Sequence, residues 1–536
     1  MTKVSRVFDR AAEHVDYLVI GVWCAAAILL ASHRYYFMGD GLRHLPGILE
    51  KSTPSLGEPR WLLFPTLLYA VIKPFAALGV VRSQESAIMV FTAFCFLCGA
   101  TYLLLLRKLL EARDCPVSAR AWALLLVGSS AVLLYLSSDI GEPLPAATLA
   151  VAGLTYASRP VSDERRGLVA ASACIALAAL IYQGTFLAFC LLPLVLPWKG
   201  LVRPSALATA LSIACLTPVL MLTALVVSGD RPGQAFVRIA RGEANEKARD
   251  IYVGKSAWPY IAAVTLGPAQ SFAPIPDNRG LRGSWQLLRS PETAAKGIFG
   301  LAGALLGGLL LIAILHGALK DQRGEILLGL AGILALPLAR SAQYSYLKFY
   351  VLIPFFVGVT APVVLRWRIM PWVGLCLLAL NIGNSLTGFQ RDRVLNAEVK
   401  SVLFDRVKPD ACYATMGWGV PYQDWPGMAV AGARFLNAGG KDGIKALIEN
   451  ETDLLKHLES CYCKASAVYT DSFLTPLRET LVQDTQHFAA LRLPVEELLL
   501  EPQTKDSWKF GQIEIQQYSP EHQRQACAAL RSALTK

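Results

Sequence analysis

The sequence predicts a mostly α-helical, polytopic membrane protein with about 11 transmembrane helices, followed by a small extracytoplasmic α/β domain. Three observations support this fold class. Of the 536 residues, 54% are hydrophobic and 17% are charged, and the mean hydropathy is +0.42. Apolar runs recur at lengths that can cross a bilayer core of about 30 Å. The composition becomes polar near residue 390. These features exclude a soluble enzyme, a disordered regulator and a nucleic-acid binder.

Twelve apolar runs are candidate spans. They lie near 17–37, 62–81, 84–106, 119–138, 141–158, 167–182, 184–198, 204–228, 295–319, 325–340, 347–365 and 369–388. The run at 62–81 contains Pro65, Lys73 and Pro74, which favours a helix along the membrane surface. The first run continues into SHRYYF without a clear small-residue cleavage site, which favours an uncleaved helix over a signal peptide.

The distribution of basic residues supports eleven spans with a cytoplasmic N-terminus. If 62–81 does not span, every inner segment has at least two basic residues: Lys3, Arg6, Arg10; Arg107, Lys108, Arg113, Arg120; Arg159, Arg165, Arg166; Lys199, Arg203; Lys320, Arg323; and Arg366, Arg368. Counting 62–81 as a span would place the basic loop at 107–120 outside, against the positive-inside bias. The net charge of +11 therefore argues for topology and against a nucleic-acid partner. In a bacterial cell this is an inner-membrane protein whose C-terminal domain faces the periplasm.

Two domains follow from this topology. Residues 1–390 form the membrane domain, with outer loops at about 33–83 and 229–294, and residues 391–536 form the soluble domain. The second loop is too long to be structureless, so we expect a lid over the outer face or a short helix. The tail contains strand patterns at CYATMGWG, ASAVYTDSF and KFGQIEIQQY, and an amphipathic helix that begins at Ser519 and Pro520.

Four cysteines lie in this tail, on the predicted oxidising side of the membrane. Cys412, Cys461, Cys463 and Cys527 allow three disulfide pairings, of which the one containing Cys461–Cys463 is the least favourable on geometry. A zinc site is the alternative, but no nearby ligand completes a familiar spacing.

Two acidic clusters share the outer side in this topology. Asp40 lies in GDG after the first span, and Asp139 and Glu142 lie in the short turn SSDIGEP. Carboxylates there can take a proton from an attacking hydroxyl or hold a divalent metal ion. In the structural alternative, the acids sit in water or begin a helix, with Pro143 at its first position. His44, four residues after Asp40, shares its helical face or is a plain surface histidine.

The last outer turn breaks the charge pattern, because Arg340 and Lys348 are basic residues on the outer side. Three tyrosines accompany them, namely Tyr344, Tyr346 and Tyr350. Snorkelling cations in an aromatic belt explain this pattern without a function. In the functional interpretation, the two cations bind the phosphate of a lipid at the bilayer surface.

The order of these segments resembles the GT-C class of membrane glycosyltransferases, in particular the aminoarabinose and protein mannosyltransferase branch, which uses polyprenyl-phosphate sugars. The resemblance covers roughly residues 15–390, in order and spacing more than in identity. The matching segments are GDG at 39–41, EPRWLLFPTLLYAVIKPFAALG at 58–79, the helix from 84, SSDIGEP at 137–143 and KFYVLIP at 348–354. Gly41 replaces the second acid of the usual pair, and Gln183 replaces a lysine.

The resemblance implies that a sugar passes from a polyprenyl-phosphate carrier to an acceptor, with inversion at the anomeric carbon. The implied catalytic residues are Asp40, Asp139 and Glu142, and the implied substrate-binding residues are Lys348, Arg340, Tyr350, Glu58 and His44. The expected partners are the lipid-linked sugar, a membrane lipid and an acceptor that the sequence does not identify. No cofactor is expected, unless the carboxylates hold a divalent metal ion.

Two other functions stay open from the sequence. A lipid or glycan transporter, or flippase, is typical of chains with internal repeats and broken or charged helices at the bilayer midplane, and we find no internal repeat. An O-antigen polymerase or ligase is also polytopic and has a large arginine-rich outer loop. The loop at 229–294 can be interpreted as a loop of this kind.

Overall fold

The structure is a computed structural model that describes most of the membrane portion and the core of the tail. The described residues are 14–33, 48, 62–82, 84–158, 164–196, 204–227, 233, 258–272, 288–289, 291–339, 350–365, 371–384, 386, 411–415, 434–437, 459–470, 504–510 and 513–535. The chain divides into two compact units, Met1–Phe389 and Gln390–Lys536.

The first unit is helical, as the sequence predicts. Its helices are α1 (Val15–His33), α2 (Phe64–Ala77), α3 (Gln84–Ala112), α4 (Val117–Gly128), α5 (Ala131–Leu136), α6 (Pro143–Ala157), α7 (Glu164–Ile181), a 3₁₀ helix (Gln183–Leu191), α8 (Leu192–Val195), α9 (Pro204–Val227), α10 (Trp258–Val264), α11 (Leu266–Gln270), α12 (Pro291–Lys320), α13 (Gly324–Ala339), α14 (Ile353–Val364) and α15 (Pro371–Asn384).

Apolar helices make the chain an integral membrane protein. Within the described residues, three stretches are long and apolar enough to cross a membrane, namely Val15–Ser32, Ser86–Ala112 and Gly297–Lys320. Further apolar helices among the described residues are 10 to 17 residues long, shorter than the roughly 20 residues that span a bilayer core. The number of eleven spans therefore stays a prediction.

Helix α2 is short and buries one face, and its position along the membrane surface stays a prediction. Its 14 residues rise about 21 Å, less than the thickness of a bilayer core. The buried residues Phe64, Leu68 and Ile72 follow one another at intervals of four and so lie on one face. The N–H of Leu63 donates to the carbonyl oxygen of Leu180 at 2.8 Å, which fixes the start of α2 to the end of α7.

Two of the predicted apolar runs are not single α-helices. The run at 119–138 breaks at Ser129 and Ser130, and α5 begins anew with the Ser130 hydroxyl accepting from the N–H of Leu133 at 3.3 Å. Serine favours such a cap because its hydroxyl competes with the helical hydrogen bonds. The run at 184–198 begins as the 3₁₀ helix and continues as the four-residue α8.

The second unit contains a five-stranded mixed sheet. Its strands are β1 (Cys412–Thr415), β2 (Arg434–Asn437), β3 (Val468–Thr470), β4 (Thr504–Phe510) and β5 (Ile513–Tyr518), in the order β2-β1-β3-β5-β4. Strand β1 is parallel to β2 and β3, whereas β5 is antiparallel to β3 and β4.

Helix α16 (Pro520–Thr535) ends the described chain, and its start agrees with the predicted signal. The Ser519 hydroxyl accepts from the N–H of His522 at 3.2 Å, and Pro520 is the first helical residue. Two disulfides, Cys412–Cys461 and Cys463–Cys527, join β1, the helical turn at 459–464 and α16. This pairing excludes the unfavourable Cys461–Cys463 bridge.

Candidate functional site

The acidic loop, residues 137–142, lies between α5 and α6 and is buried throughout. Asp139 is 1% exposed and Glu142 is fully buried. The structural alternative in which these two acids sit in water is therefore wrong. Ionisable groups inside a membrane protein cost free energy and commonly mark a functional site. The loop is the strongest candidate site among the described residues.

Local hydrogen bonds shape the acidic loop. The Ser137 hydroxyl donates to the carbonyl oxygen of Leu134 at 2.8 Å, and Oδ1 of Asp139 accepts from the N–H of Ile140 at 2.8 Å. Helix α6 starts at Pro143 with Glu142 as its N-cap residue, which confirms the predicted helix start. The Glu142 side chain makes no capping hydrogen bond to that helix, so capping does not account for its carboxylate.

Helices α1 and α3 hold the acidic loop from one side. The Cys95 thiol contacts the carbonyl oxygen of Gly141 at 3.9 Å. A Cβ atom on Gly99 would lie 3.2 Å from the Cβ of Ser137 and within 3.0 Å of the Trp23 ring, so only glycine allows this close approach. The chain that leaves α1 contains Asp40.

Most of the other predicted site residues lie outside the described residues. These are Asp40, His44, Glu58, Arg340 and Lys348. In the segment KFYVLIP at 348–354, the described residues begin with Tyr350, which is 1% exposed. Its hydroxyl donates to the carbonyl oxygen of Ala263 in α10 at 3.0 Å, and its ring lies against Gly267 in α11. The substrate-binding roles of these residues stay predictions.

The second outer loop contains the short helices that its length predicts. Residues 258–272, here called the α10–α11 segment, contact Tyr350 at Ala263 and Gly267 and contact α5 at the last two residues. The carbonyl oxygen of Phe272 accepts from the N–H of Ala131 at 3.3 Å, and that of Ser271 accepts from the N–H of Val132 at 3.1 Å. Two of the unsatisfied donors at the start of α5 are thereby paired.

Asn381 is a site residue that the sequence analysis missed. Its side-chain amide donates to the carbonyl oxygen of Ser129 at 2.7 Å and also to that of Phe272. Asn381 is fully buried in α15. An asparagine within the apolar run 369–388 was the available signal, because polar side chains in membrane helices commonly bond across helices.

The described residues include no group of three or more His, Cys, Asp or Glu side chains arranged to hold a metal ion.

The architecture was compared with solved structures. ArnT from Cupriavidus metallidurans bound to undecaprenyl phosphate matches with a TM-score of 0.50 and 12% sequence identity, over 94% of this chain and 98% of that chain. The chain is similar in fold to ArnT. The apo ArnT structure covers the same shares of the two chains, with a TM-score of 0.41 and 11% identity. No family model and no curated protein matches the chain.

The ArnT likeness agrees with the helical membrane architecture that the order of segments predicts. At 12% identity it concerns the fold and does not assign the branch, the donor or the acceptor. Those finer assignments stay predictions.

Proposed function

We propose that the protein transfers a sugar from a polyprenyl-phosphate carrier to a lipid, glycan or protein acceptor on the extracytoplasmic face. The observation that carries the proposal is the fold similarity to undecaprenyl-phosphate-bound ArnT along 94% of the chain. The buried acidic loop adds support, because it places two carboxylates in the interior of that fold.

The proposed reaction is a single inverting displacement. Asp40 takes the proton of the acceptor hydroxyl, and the acceptor oxygen attacks the anomeric carbon. The bond between that carbon and the phosphate oxygen breaks, and its electron pair leaves with polyprenyl phosphate. Arg340 and Lys348 stabilise the charge that develops on the phosphate. A phosphate monoester is a weakly basic leaving group, so no general acid is required.

The acidic loop orients the acceptor in this proposal. Asp139 lies in the hydrogen-bonded turn at Ser137–Ile140, and Glu142 lies at the start of α6. Buried carboxylates are strong hydrogen-bond acceptors, and so they suit the hydroxyl groups of a sugar or another alcohol. Replacing either one with its amide keeps the volume and removes the charge.

The test uses the full-length protein in lipid nanodiscs with undecaprenyl-phosphate-linked sugars and a membrane extract as the source of acceptors. Mass spectrometry follows conversion of the donor to free undecaprenyl phosphate. We expect turnover with at least one donor sugar and a product that carries the inverted linkage. No conversion of any donor, across a panel of sugars, would overturn the proposal.

Transport of a lipid or glycan is the second candidate, because α4 and α5 are interrupted at Ser129–Ser130. Broken helices commonly form transporter binding sites. Ser271 and Asn381, which donate or accept hydrogen bonds at this break, are uncharged residues. Reconstituted vesicles separate the two functions, since a flippase moves the intact donor between leaflets while a transferase consumes it.

A further inference from the structure

We propose that the α10–α11 segment is a positioning element that fixes the spacing between the acidic loop and the chain following Lys348. Asn381 and Tyr350 act through this segment as positioning residues. The inference rests on the proposed function, since it assumes that the carboxylates and the phosphate-binding cations serve one reaction.

The middle of the segment, at Ala263 and Gly267, holds Tyr350. The Tyr350 hydroxyl is 3.0 Å from the carbonyl oxygen of Ala263, and a Cβ on Gly267 would collide with the tyrosine ring. The ring is therefore enclosed between α10 and α11. Tyr350 follows Lys348 by two residues, so the fixed position of Tyr350 limits the distance between Lys348 and the segment.

At its C-terminal end the segment caps α5. Its last two carbonyl groups, those of Ser271 and Phe272, accept from the first two N–H groups of α5. Helix α5 has only six residues, a length of about 9 Å, and the acidic loop follows it directly. A shift of the segment therefore moves the start of α5, and with it the loop that carries Asp139.

Asn381 holds the segment to the break between α4 and α5. Its amide bridges the carbonyl oxygens of Ser129 and Phe272, which belong to the end of α4 and to the α10–α11 segment. Helix α12 packs closely against the segment as well, because a Cβ on Gly307 would lie 2.8 Å from the carbonyl oxygen of Ala269. The segment thus has no room to slide. Misplacing a reacting group by about 1 Å can cost about a hundredfold in rate.

The experiment compares Asn381→Ala, Tyr350→Phe and their double variant with wild type, all full length in nanodiscs. Asn384→Ala and Tyr102→Phe are the matched controls, since they change a buried asparagine and a buried tyrosine other than the two that donate hydrogen bonds to the segment. Three quantities are measured: donor turnover, binding of undecaprenyl phosphate, and hydrogen exchange of the Ala131 and Val132 amides.

We expect Asn381→Ala to speed exchange at Ala131 and Val132 by about fivefold or more, because the cap of α5 loosens. Its turnover falls about tenfold or more, while the Kd for undecaprenyl phosphate stays within about twofold. Tyr350→Phe weakens undecaprenyl phosphate binding. The double variant loses less turnover than the product of the two single losses, because both act through one element. The control variants stay within about twofold of wild type in all three quantities.

Unchanged exchange at Ala131 and Val132 in Asn381→Ala would overturn the inference, as would strictly multiplicative losses in the double variant. A wild-type protein without turnover would sink the proposed function, and the exchange measurement would still decide whether the segment caps α5.

Discussion

Asp16 and Arg107 form a buried ion pair, with Nε of Arg107 2.7 Å from Oδ2 of Asp16. The Nε of Arg120 lies 3.5 Å from the same oxygen. The Arg107 guanidinium also stacks 4.0 Å above the ring of Tyr17. Asp16, at the start of α1, therefore joins α3 and α4 at the end where the charge pattern places the cytoplasm. Both arginines hold helices together besides contributing to the inner-side charge.

Replacing Asp16 with alanine should destabilise the membrane unit strongly. The substitution removes the buried carboxylate from two nearly buried guanidinium groups and leaves them only the half-exposed carboxylate of Glu111. Breaking a buried ion pair typically costs about 3 to 5 kcal/mol. The thermal unfolding midpoint in detergent measures the effect. Glu111→Gln is the matched control: the Glu111 side chain is 49% exposed, so its pair with Arg107 contributes less than about 1 kcal/mol. Equal midpoints for Asp16→Ala and wild type would contradict the buried pair.

Gly153→Ala should loosen the packing of α6 on α7. An added Cβ would lie 2.8 Å from the carbonyl oxygen of Ala171, and a backbone carbonyl in a helix cannot move aside easily. Overpacking of this kind costs about 1 to 3 kcal/mol. Gly21→Ala is the control, since nothing lies within 4 Å of its Cβ position and alanine favours a helix. A lower unfolding midpoint for Gly21→Ala than for Gly153→Ala would refute this packing.

Removing the Cys463–Cys527 disulfide should destabilise the C-terminal unit. The bridge spans 64 residues of sequence, and the chain-entropy model gives about 4 kcal/mol for a loop of that size. Near-ultraviolet circular dichroism of Cys463→Ala/Cys527→Ala during heating measures the loss. Cys376→Ala, at an exposed free cysteine, should leave the melting curve unchanged.

Peptide maps recorded without reduction test the disulfide pairing itself. They should show Cys412 joined to Cys461, and a bridge between Cys461 and Cys463 would contradict the pairing.

The C-terminal unit should lose stability in alkali through Tyr462 and Tyr518. Burial raises the pKa of the Tyr518 hydroxyl well above 10.0, helped by the charge of the neighbouring Tyr462. Burial also raises the pKa of Tyr462. Because the folded pKa exceeds the unfolded value, this stability is complete below about pH 10 and is lost as the pH rises further.

Tyr518→Phe should therefore flatten the decline in stability between about pH 10 and 11.5, because one of the two groups no longer ionises on unfolding. Denaturant unfolding at several pH values measures the slope. Tyr260→Phe, at an exposed tyrosine of the membrane unit, is the control. A slope unchanged by Tyr518→Phe would show that Tyr518 ionises equally in both states.

The sequence predicted features that depend on composition and local pattern. The apolar runs, the strands at β1, β3 and β5 and the cap of α16 all have local signals. Strand β2 was missed because its four residues, Arg434–Asn437, show no alternation and are ordered by parallel pairing with β1. The predicted strand KFGQIEIQQY is divided instead, since Lys509 and Phe510 end β4 and β5 begins at Ile513.

The candidate site was predictable in part for the same reason. A short turn with two acids indicated the acidic loop, but its burial depends on α1 and α3, which no local pattern reports. Asn381 binds Ser129 across 252 positions, and the break between α4 and α5 is stabilised by the distant carbonyl groups of Ser271 and Phe272. Such contacts arise only when the chain folds.

Release of undecaprenyl phosphate by Asp40→Asn tests the central claim most directly. The full-length variant is compared in nanodiscs with wild type and with Asp321→Asn, which changes an exposed aspartate between α12 and α13. If Asp40 takes the acceptor proton, wild type and Asp321→Asn release undecaprenyl phosphate at similar rates, and Asp40→Asn is slower by about a hundredfold or more. Turnover that survives intact in Asp40→Asn would contradict the account.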